Sequence, residues 1–310
     1  MRAAAILGLG SSSGNLTPFQ SSPDVSWLLG LPANASEADV ILVFGGDGTI
    51  HRHLSQLVRL SLPVLVVPCG SGNDFARALG LRNRRDALSA WRGFCGGSGR
   101  VRTIDLGLIT PLEPAGGARE SGRSRAEGGT SRIPAFFCCA GGIGLDGEIA
   151  RRANRLPRWL RGHGGYAISM PGALAKFTPF SVKILPGAAE QFSASAGGDF
   201  AMVVVFANTP VYGGGMRIAP QAQLDDGQLD ICVVSEVNKF KLFCLFPTIY
   251  FGRHVQLPEV RYFHAPRLRL ETETPQAVYA DGEYVCQSPV EVSVAPNALR
   301  VIVLPALAGS

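Results

Sequence analysis

Apolar and polar positions divide the chain into a first part built of strand, turn and helix units and a second part rich in strands. Residues 40–44 form a continuous apolar run, typical of a buried parallel strand, and a glycine-rich turn and apolar residues at helical spacing follow it. Residues 63–67 begin a second unit of the same plan, with a helix predicted from about Asp74. Successive units of this kind favour a parallel α/β sheet.

Beyond about Ile104 the pattern is typical of strands and hairpins. Residues 267–271 alternate strictly between polar and apolar, and residues 278–285 form two strand-like halves around Asp281-Gly282, a strong hairpin signal. Residues 290–304 offer two more strands, the last of which we expect to return to the first part of the chain.

These patterns predict a two-domain fold. Residues 1–108 are predicted to form a doubly wound parallel α/β domain, and residues 109–296 a β-rich sandwich domain. Residues 297–310 are assigned to a C-terminal strand that returns to the first domain. Segment 111–132 is rich in Gly, Arg, Ser and Glu and lacks apolar periodicity, so we interpret it as a mobile hairpin insertion.

Composition and charge limit the functional classes. The chain has 310 residues, of which 46% are hydrophobic and 17% charged, enough for a sizeable core. Its formal net charge of +5 suits an anionic ligand or a membrane surface and implies no nucleic acid. Seven cysteines without a Cys-x-x-Cys pair indicate neither a zinc site nor a redox motif, and they favour reduced thiols and a cytoplasmic location. No apolar run approaches ~20 residues, so lipid contact is predicted to be peripheral.

Two glycine-rich turns carry the candidate chemistry. Each turn follows a predicted strand and precedes a helix, and the carboxyl ends of parallel strands meet at the edge of the sheet where ligands bind. Glycines let the backbone approach a phosphate closely, and free N–H groups at a helix start favour anionic oxygens. A single turn of this kind is equally explained by the conformational needs of a tight turn. Two turns in tandem, with Asp47 and Asp74 embedded in them, favour phosphate binding.

The turns resemble the signatures of a known family. Residues 45–49, GGDGT, are similar to a signature shared by diacylglycerol kinases, sphingosine kinases, NAD kinases and phosphofructokinases. Residues 68–76, PCGSGNDFA, resemble the P-x-G-T-x-N-D-F-A signature of the diacylglycerol-kinase branch, with Ser71 in place of the usual threonine. Further matches follow in order at residues 142–146, Asn208, 213–215, 219–220 with 224–230, 252–254 and 281–283.

The resemblance implies an ATP-dependent lipid kinase that uses Mg²⁺ and acts on a diacylglycerol-like lipid at a membrane surface. Asp47 is implied to lie beside the γ-phosphate and the magnesium ion, and Glu283 to accept the proton of the lipid hydroxyl. From the residues alone, Asp281-Gly282 suffices for a plain hairpin, in which Glu283 is a solvated strand residue. The implied nucleotide-binding residues are Gly45, Gly46, Gly48, Thr49, Gly70, Ser71, Gly72, Asn73, Asp74, Phe75 and Ala76.

A second magnesium site is implied by the resemblance at residues 224–227, LDDG. The implied ligands are the Asp226 carboxylate and the backbone carbonyls of Gln223 and Gln228. The same string also reads as an ordinary turn between strands.

Two segments are candidates for membrane contact. The first carries Arg151, Arg152, Arg155, Arg158 and Arg161 close to Trp159, a pattern that also describes a solvated helix face. The second, residues 240–251, is amphipathic, and the alternative is a core helix. His51 and His53 are interpreted as surface residues of the helix after the first turn. An exposed sheet edge in the second domain would support a homodimer.

Two other functions remain open from the sequence. The first is an NAD kinase or another small-molecule kinase, which shares the first signature but carries a different second loop. The second is a non-catalytic nucleotide- or lipid-binding regulator. It is favoured by the loop at residues 8–14, GLGSSSG, which stands where the family usually has an N-P-x-x-G turn.

Overall fold

The computed structural model describes residues 1–21, 24–113, 133–157, 164–186 and 199–304. In the first domain, parallel strands lie side by side in the order β2, β1, β3, β4. Their apolar runs are buried throughout in β3 and β4, as expected for strands covered on both faces. The predicted parallel α/β sheet is confirmed. The bounds of these strands are β1 Arg2–Leu7, β2 Ser26–Leu29, β3 Val40–Gly45 and β4 Val64–Pro68.

The strand order places a ligand crevice beside β1 and β3. From β1 the chain moves outward to β2, whereas from β3 it moves in the opposite direction to β4. Right-handed crossovers then place the connecting helices on opposite faces, and a crevice opens at the carboxyl ends of the two strands where the direction changes. The helices are α1 Ser13–Leu16, α2 Asp47–Leu60, α3 Asp74–Ala78, α4 Arg84–Cys95, α5 Leu145–Ala153, α6 Gly165–Lys176 and α7 Lys239–Leu245.

The second domain is built of antiparallel strands that pack around their own apolar core. The main path runs β14, β13, β7, β9, β8, β12, β15, while β10 and β11 extend from β9, and β6 pairs with β5. Together with the first domain this is the predicted α/β domain followed by a β-rich sandwich. The strands are β5 Arg100–Pro111, β6 Ala135–Phe137, β7 Ala140–Gly144, β8 Phe180–Pro186, β9 Asp199–Ala207, β10 Leu229–Ser235, β11 Val260–Ala265, β12 Arg267–Thr272, β13 Ala277–Ala280, β14 Glu283–Gln287 and β15 Val290–Val303.

The long antiparallel pair β5 and β15 joins the two domains. The pairing runs from Val290 opposite Pro111 to Val303 opposite Arg100, and Val301 also pairs in parallel with β4. The expectation of two separate strands at residues 290–304 is wrong, because β15 continues through a bulge rather than breaking. At the bulge Asn297 adopts a φ of 54°, and its N–H donates to Asp105 Oδ1 at 2.8 Å. The domain bounds themselves stay a prediction.

Parts of two sequence interpretations lie outside the described residues. The proposed hairpin insertion at 111–132 is described only up to residue 113, and Arg158, Trp159 and Arg161 are not described. In the part of the chain that the structure describes, we find no helix that is both long and apolar enough to cross a membrane.

Candidate active site

An open cleft of about 590 Å³ lies at the carboxyl ends of the parallel strands, where the crevice is expected. The loops after β1, β3 and β4 form one wall, and the β13–β14 hairpin and the end of α5 form another. Residues far apart in sequence therefore share one space. The lining residues are Leu9, Gly10, Gly46, Asp47, Gly48, Thr49, Arg52, Cys69, Gly70, Ser71, Gly72, Asp74, Cys139, Ala153, Asn154, Tyr166, Tyr212, Gly213, Gly214, Asp281, Gly282 and Glu283.

The two glycine turns touch each other through bare Cα atoms. A Cβ added to Gly70 would lie 2.5 Å from the Cα of Gly46, and a Cβ added to Gly46 would lie 2.9 Å from the Cα of Gly70. Such approaches are shorter than any real Cβ contact, so both positions need glycine for this packing. Both turns also line the cleft, where their backbone N–H groups are suited to a phosphate.

The Asp47 carboxylate joins the first turn to the helix after the second. Asp47 Oδ2 accepts a hydrogen bond from the Asp74 N–H at 3.0 Å, and Oδ1 accepts one from the Phe75 N–H at 3.1 Å. These are free N–H groups of the first turn of α3, which a carboxylate satisfies well. Burial, together with the nearby charge of Asp74, raises the pKa of Asp47 to about 6. The side chain is therefore poised to receive a cation.

Asn73 and Asp74 fix the second loop. Asn73 Oδ1 accepts from the Gly70 N–H at 2.9 Å, and its Nδ2 donates to the Gly70 carbonyl at 2.7 Å, so this side chain closes the loop on itself. Asp74 Oδ1 accepts from Arg77 Nη1 at 2.9 Å, while Oδ2 accepts from the Gly214 N–H at 2.8 Å. Asp74 thereby connects the first domain to a loop of the second.

The hairpin signal at Asp281-Gly282 is confirmed, and the turn lies in the cleft. Both residues have positive φ, 49° and 84°, as a two-residue hairpin turn of type I′ requires. Asp281 Oδ1 accepts from the Cys139 N–H at 2.8 Å and Oδ2 from the Cys138 N–H at 2.9 Å. The carboxylate therefore fastens the turn to the start of β7.

Glu283 follows this turn and faces the first glycine turn across the cleft. Its Oε1 lies 3.7 Å from the position that a Cβ on Gly48 would occupy. The carboxylate is exposed to solvent and lines the cleft together with Asp47. The structure thus brings both predicted catalytic residues, which are separated by most of the second domain in sequence, to one site.

Most of the residues predicted to bind nucleotide line the cleft, but some lie elsewhere. Phe75 and Ala76 are buried in the core of the first domain, so only their backbone is near the site. Gly45 packs against Thr49, where an added Cβ would lie 2.5 Å from the threonine Cβ. Those that line the cleft are Gly46, Gly48, Thr49, Gly70, Ser71, Gly72 and Asp74. Their role in binding nucleotide stays a prediction.

Several lining residues were not identified from the sequence. Arg52 reaches the cleft from α2, and its position one helical turn after the glycine turn is a signal that could have identified it. Tyr166 and Tyr212 have no local signal, because they come from separate elements and meet edge to face with ring centres 5.5 Å apart. His51, predicted to be a surface residue, is half-buried and faces Asp281.

A second, apolar cavity of about 90 Å³ adjoins the cleft. Tyr166 and Tyr212 line both spaces, so they form the wall between them. At this wall Tyr212 Oη donates to Asp146 Oδ1 at 2.5 Å. Burial raises the pKa of the Asp146 carboxyl to about 6, although the tyrosine hydrogen bond opposes the shift. The other lining residues are almost all aliphatic or aromatic, and they include Leu242 and Leu245 of α7 and Phe246 directly after it.

The loop predicted to hold a second magnesium ion is exposed. Asp226 Oδ1 accepts from the Gln228 N–H at 3.0 Å, which is an ordinary Asx turn, and Gln223 is also at the surface. Asp105 stabilises the loop, because its Oδ2 accepts a hydrogen bond from the Gly227 N–H at 2.8 Å. The donor set of one carboxylate and two carbonyl oxygens suits Mg²⁺ chemically, and the assignment stays a prediction.

Comparison with known proteins identifies relatives over most of the chain. Residues 29–109 match the diacylglycerol kinase catalytic domain, and residues 141–303 match the YegS C-terminal NAD kinase beta sandwich-like domain. The chain is 33% identical to a diacylglycerol kinase of Mycobacterium tuberculosis over 270 residues, which are 87% of this chain and 78% of that protein. It is 27% identical to a diacylglycerol kinase of Bacillus subtilis, over 80% of this chain and 72% of that protein.

The fold also resembles a solved structure. The crystal structure of a diacylglycerol kinase from Bacillus anthracis str. Sterne superposes with a TM-score of 0.65, covering 98% of this chain and 97% of that chain at 22% sequence identity. At this identity the likeness supports the fold and leaves the chemistry to the residues of the cleft.

Proposed function

Because this chain belongs to the diacylglycerol kinase catalytic-domain family, we propose that it transfers the γ-phosphate of ATP to a hydroxyl of a diacylglycerol-like lipid at a membrane surface. The observation that carries the proposal is the meeting of Glu283 with the two glycine turns in one cleft. A base opposite a phosphate cradle is the arrangement that phosphoryl transfer to an alcohol needs.

The residues of the cleft fit ATP with Mg²⁺. Gly46 and Gly70 let the two turns pack together, so that both line the cleft, and the N-terminus of α2 favours the negative charge of phosphate oxygens. Asp47 is a buried carboxylate with a raised pKa and lies close to Asp74, so a divalent cation would relieve an unfavourable charge there. When bound, Mg²⁺ neutralises charge on the phosphoryl group that is transferred. We also propose that Asp226 and its flanking carbonyls hold a second, structural Mg²⁺.

Glu283 is the proton acceptor in this proposal. The lipid hydroxyl oxygen forms the new bond to the γ-phosphorus, the bond from the γ-phosphorus to the bridging oxygen breaks, and ADP leaves with that electron pair. The hydroxyl proton passes to the Glu283 carboxylate. The hairpin holds this carboxylate across the cleft from Gly48 of the first glycine turn.

The apolar cavity behind Tyr166 and Tyr212 suits the hydrocarbon part of the acceptor. If the hydrocarbon tail of a lipid occupies this cavity, its polar end faces the cleft, because Tyr166 and Tyr212 lie at the boundary between the apolar cavity and the polar cleft. The short helix α7 covers one side of the cavity and contains no buried residue. Elements with little burial open locally at low free-energy cost, so we expect ligands to enter the cavity beside α7.

The outer face of α7 is suited to contact a bilayer. Phe240 and Phe243 lie three residues apart, on one face of α7, and are 76% and 49% exposed, while Phe251 is 71% exposed. Contiguous exposed aromatics mark an interaction surface.

The nearby cations support this role less than the aromatics do. Lys241 of α7 pairs with Glu259, and Lys239 Nζ donates to the Ala175 carbonyl at 3.1 Å. Arg151 and Arg152 of α5 both pair with Glu148 of their own helix. Homodimer formation stays a prediction.

The test is transfer of label from γ-labelled ATP to a panel of lipids in mixed micelles. The panel contains diacylglycerol, phosphatidylglycerol, a sphingoid base and a polyprenol, and the proteins are wild type, Asp47→Ala and Glu283→Gln. We expect labelled lipid from wild type and none from either variant. Glu273→Gln is the matched control, because Glu273 is an exposed glutamate on the neighbouring β12–β13 turn and does not line the cleft.

Other outcomes lead to the other functions. Label in a soluble acceptor such as NAD, and none in lipid, would establish a small-molecule kinase. Absence of transfer to any acceptor, together with ATP binding, would indicate a regulator that has kept the fold. ATP hydrolysis that is equally fast with and without a lipid would contradict the proposed mechanism, because closure around the lipid is expected to exclude water.

A further inference from the structure

A histidine from the first domain contacts the hairpin that carries the proposed base. His51 Nδ1 lies 3.1 Å from Asp281 Oδ2, although the two residues are 230 positions apart in the chain. The side chains are 17% and 0% exposed, so this is a largely buried contact between α2 and the β13–β14 turn. Because His51 lies one helical turn after Asp47, the same helix meets both the phosphate cradle and the hairpin.

The contact bears directly on the place of Glu283. Asp281 is two residues before Glu283 and adopts a left-handed backbone conformation, so the tip of the hairpin has little freedom once Asp281 is held. The amides of Cys138 and Cys139 hold Asp281 from the second domain, and Asn154 Nδ2 donates to the Gly282 carbonyl at 2.7 Å. These bonds fix the hairpin within its own domain. His51 is the side chain that fixes it to α2.

The charges around His51 favour its protonated form. Asp281 and Glu283 face it from the hairpin, Asp47 lies one turn back on its own helix, and the thiols of Cys138 and Cys139 lie beyond Asp281. Burial raises the pKa of the Cys138 thiol well above its usual value, so this thiol contributes no charge near neutral pH. Burial lowers the pKa of His51, but the hydrogen bond and charge of Asp281, together with the charge of Glu283, outweigh it and raise the pKa above its ordinary 6.5.

We propose that His51 is a positioning residue for phosphoryl transfer: its ion pair with Asp281 holds the Glu283 hairpin at the distance from α2 that the reaction needs. This inference rests on the proposed function. A group whose pKa is raised by folding contributes most below its ordinary pKa, and its contribution falls as the pH rises through the raised pKa. The hold on the hairpin is therefore complete below about pH 6.5 and weakens as the pH rises through the raised pKa of His51.

The kinetic test compares His51→Ala and His51→Asn with wild type over a range of pH. For His51→Ala we expect kcat to fall about tenfold or more with the KM for ATP little changed, because misplacement of a catalytic group by a fraction of an ångström acts on the chemical step. Asparagine keeps a donor for Asp281 without a charge that titrates. His51→Asn should retain more activity than His51→Ala and lose the alkaline decline in kcat that we expect of wild type.

His53→Asn is the matched control, because His53 lies on the same helix and its Nδ1 lies 3.2 Å from Oε1 of the exposed Gln56, which belongs to α2 and not to the hairpin. We expect its rate and pH profile to match wild type. A His51→Ala variant with wild-type kcat and the wild-type pH profile would overturn the inference.

A second measurement separates failure of this inference from failure of the proposed function. Hydrogen–deuterium exchange of residues 277–287 reports on the hairpin without any substrate. We expect faster exchange there in His51→Ala than in wild type or His53→Asn, and a wild-type rate that rises with pH more steeply than intrinsic exchange does. If wild type phosphorylates no lipid, the proposed function fails. If exchange of residues 277–287 is unchanged in His51→Ala, the contact between His51 and Asp281 does not hold the hairpin, whatever the kinase assay shows.

Discussion

The Cα atoms of Gly46 and Gly70 lie against each other at the point where the first and second glycine turns meet, so that a Cβ on Gly70 would lie 2.5 Å from the Gly46 Cα. Neither backbone can retreat, because Gly45 O accepts from the Cys69 N–H at 2.9 Å just before the contact. The two halves of the proposed phosphate cradle are thus held at a spacing that depends on the absence of two side chains.

Gly70→Ala is therefore expected to separate the turns and weaken ATP binding about tenfold or more, since a small displacement of the cradle affects every phosphate contact. The measurement is ATP affinity by calorimetry. Gly172→Ala is the control, because its added Cβ would meet only the movable end of the Arg152 side chain, at 3.0 Å. Equal ATP affinity of Gly70→Ala and wild type would show that the turns do not form the cradle.

Asp146 is expected to make stability depend on pH. Its pKa is raised from 3.8 to about 6 in the folded protein, so its favourable contribution is complete below pH 3.8 and is lost as the pH rises through about 6. Relative to Asp146→Asn, the free energy of unfolding of wild type should fall by about 2 kcal/mol between pH 4 and 7. Denaturant unfolding of both proteins at several pH values measures this difference. Parallel pH curves would mean that Asp146 is not buried as described.

Filling the apolar cavity should affect the lipid and not the nucleotide. Val234 lines the cavity, and Val234→Phe adds a ring to a space of about 90 Å³. We expect the KM for lipid to rise about tenfold, the order of one or two lost methylene contacts in a hydrophobic pocket, with the KM for ATP unchanged. Leu185→Phe is the control, since Leu185 is 39% exposed on β8 and lines neither space. An unaltered KM for lipid in Val234→Phe would show that the hydrocarbon tail of the lipid does not bind in this cavity.

The exposed aromatics over the cavity are expected to insert into bilayers. The double substitution Phe240→Ser and Phe243→Ser removes exposed apolar area from α7. It leaves unchanged Leu242 and Leu245, the residues by which α7 lines the cavity. Sedimentation with vesicles that contain anionic lipid should show at least about a tenfold loss of binding, because burying one such side chain contributes about 1.5–3 kcal/mol. Leu29→Ser, at an equally exposed position of the first domain, should bind as wild type does. Unchanged vesicle binding by the double variant would show that this face of α7 is not the membrane-contact surface.

Features with local causes could be predicted from the sequence. The buried runs of β3 and β4 and the glycine turns after them follow from short-range patterns, and the Asp281-Gly282 hairpin follows from the positive φ that its two-residue turn requires. The resemblance of the ordered motifs assigned the family, because motif order does not depend on how the chain packs. The sequence also indicated that Asp47 and Glu283 are functional residues, without showing where either side chain points.

Contacts between distant side chains could not be predicted from the sequence and are visible in the folded protein. Phe75 belongs to the second signature and yet lies in the core, because the face of a short helix is set by the sheet beneath it. His51 reads as a surface residue of α2 until β13 and β14 bring Asp281 against it. Tyr166 and Tyr212 form a wall between two cavities although neither follows a pattern along the chain. Contacts of this kind depend on strand order and on long-range packing between elements, which local periodicity does not encode.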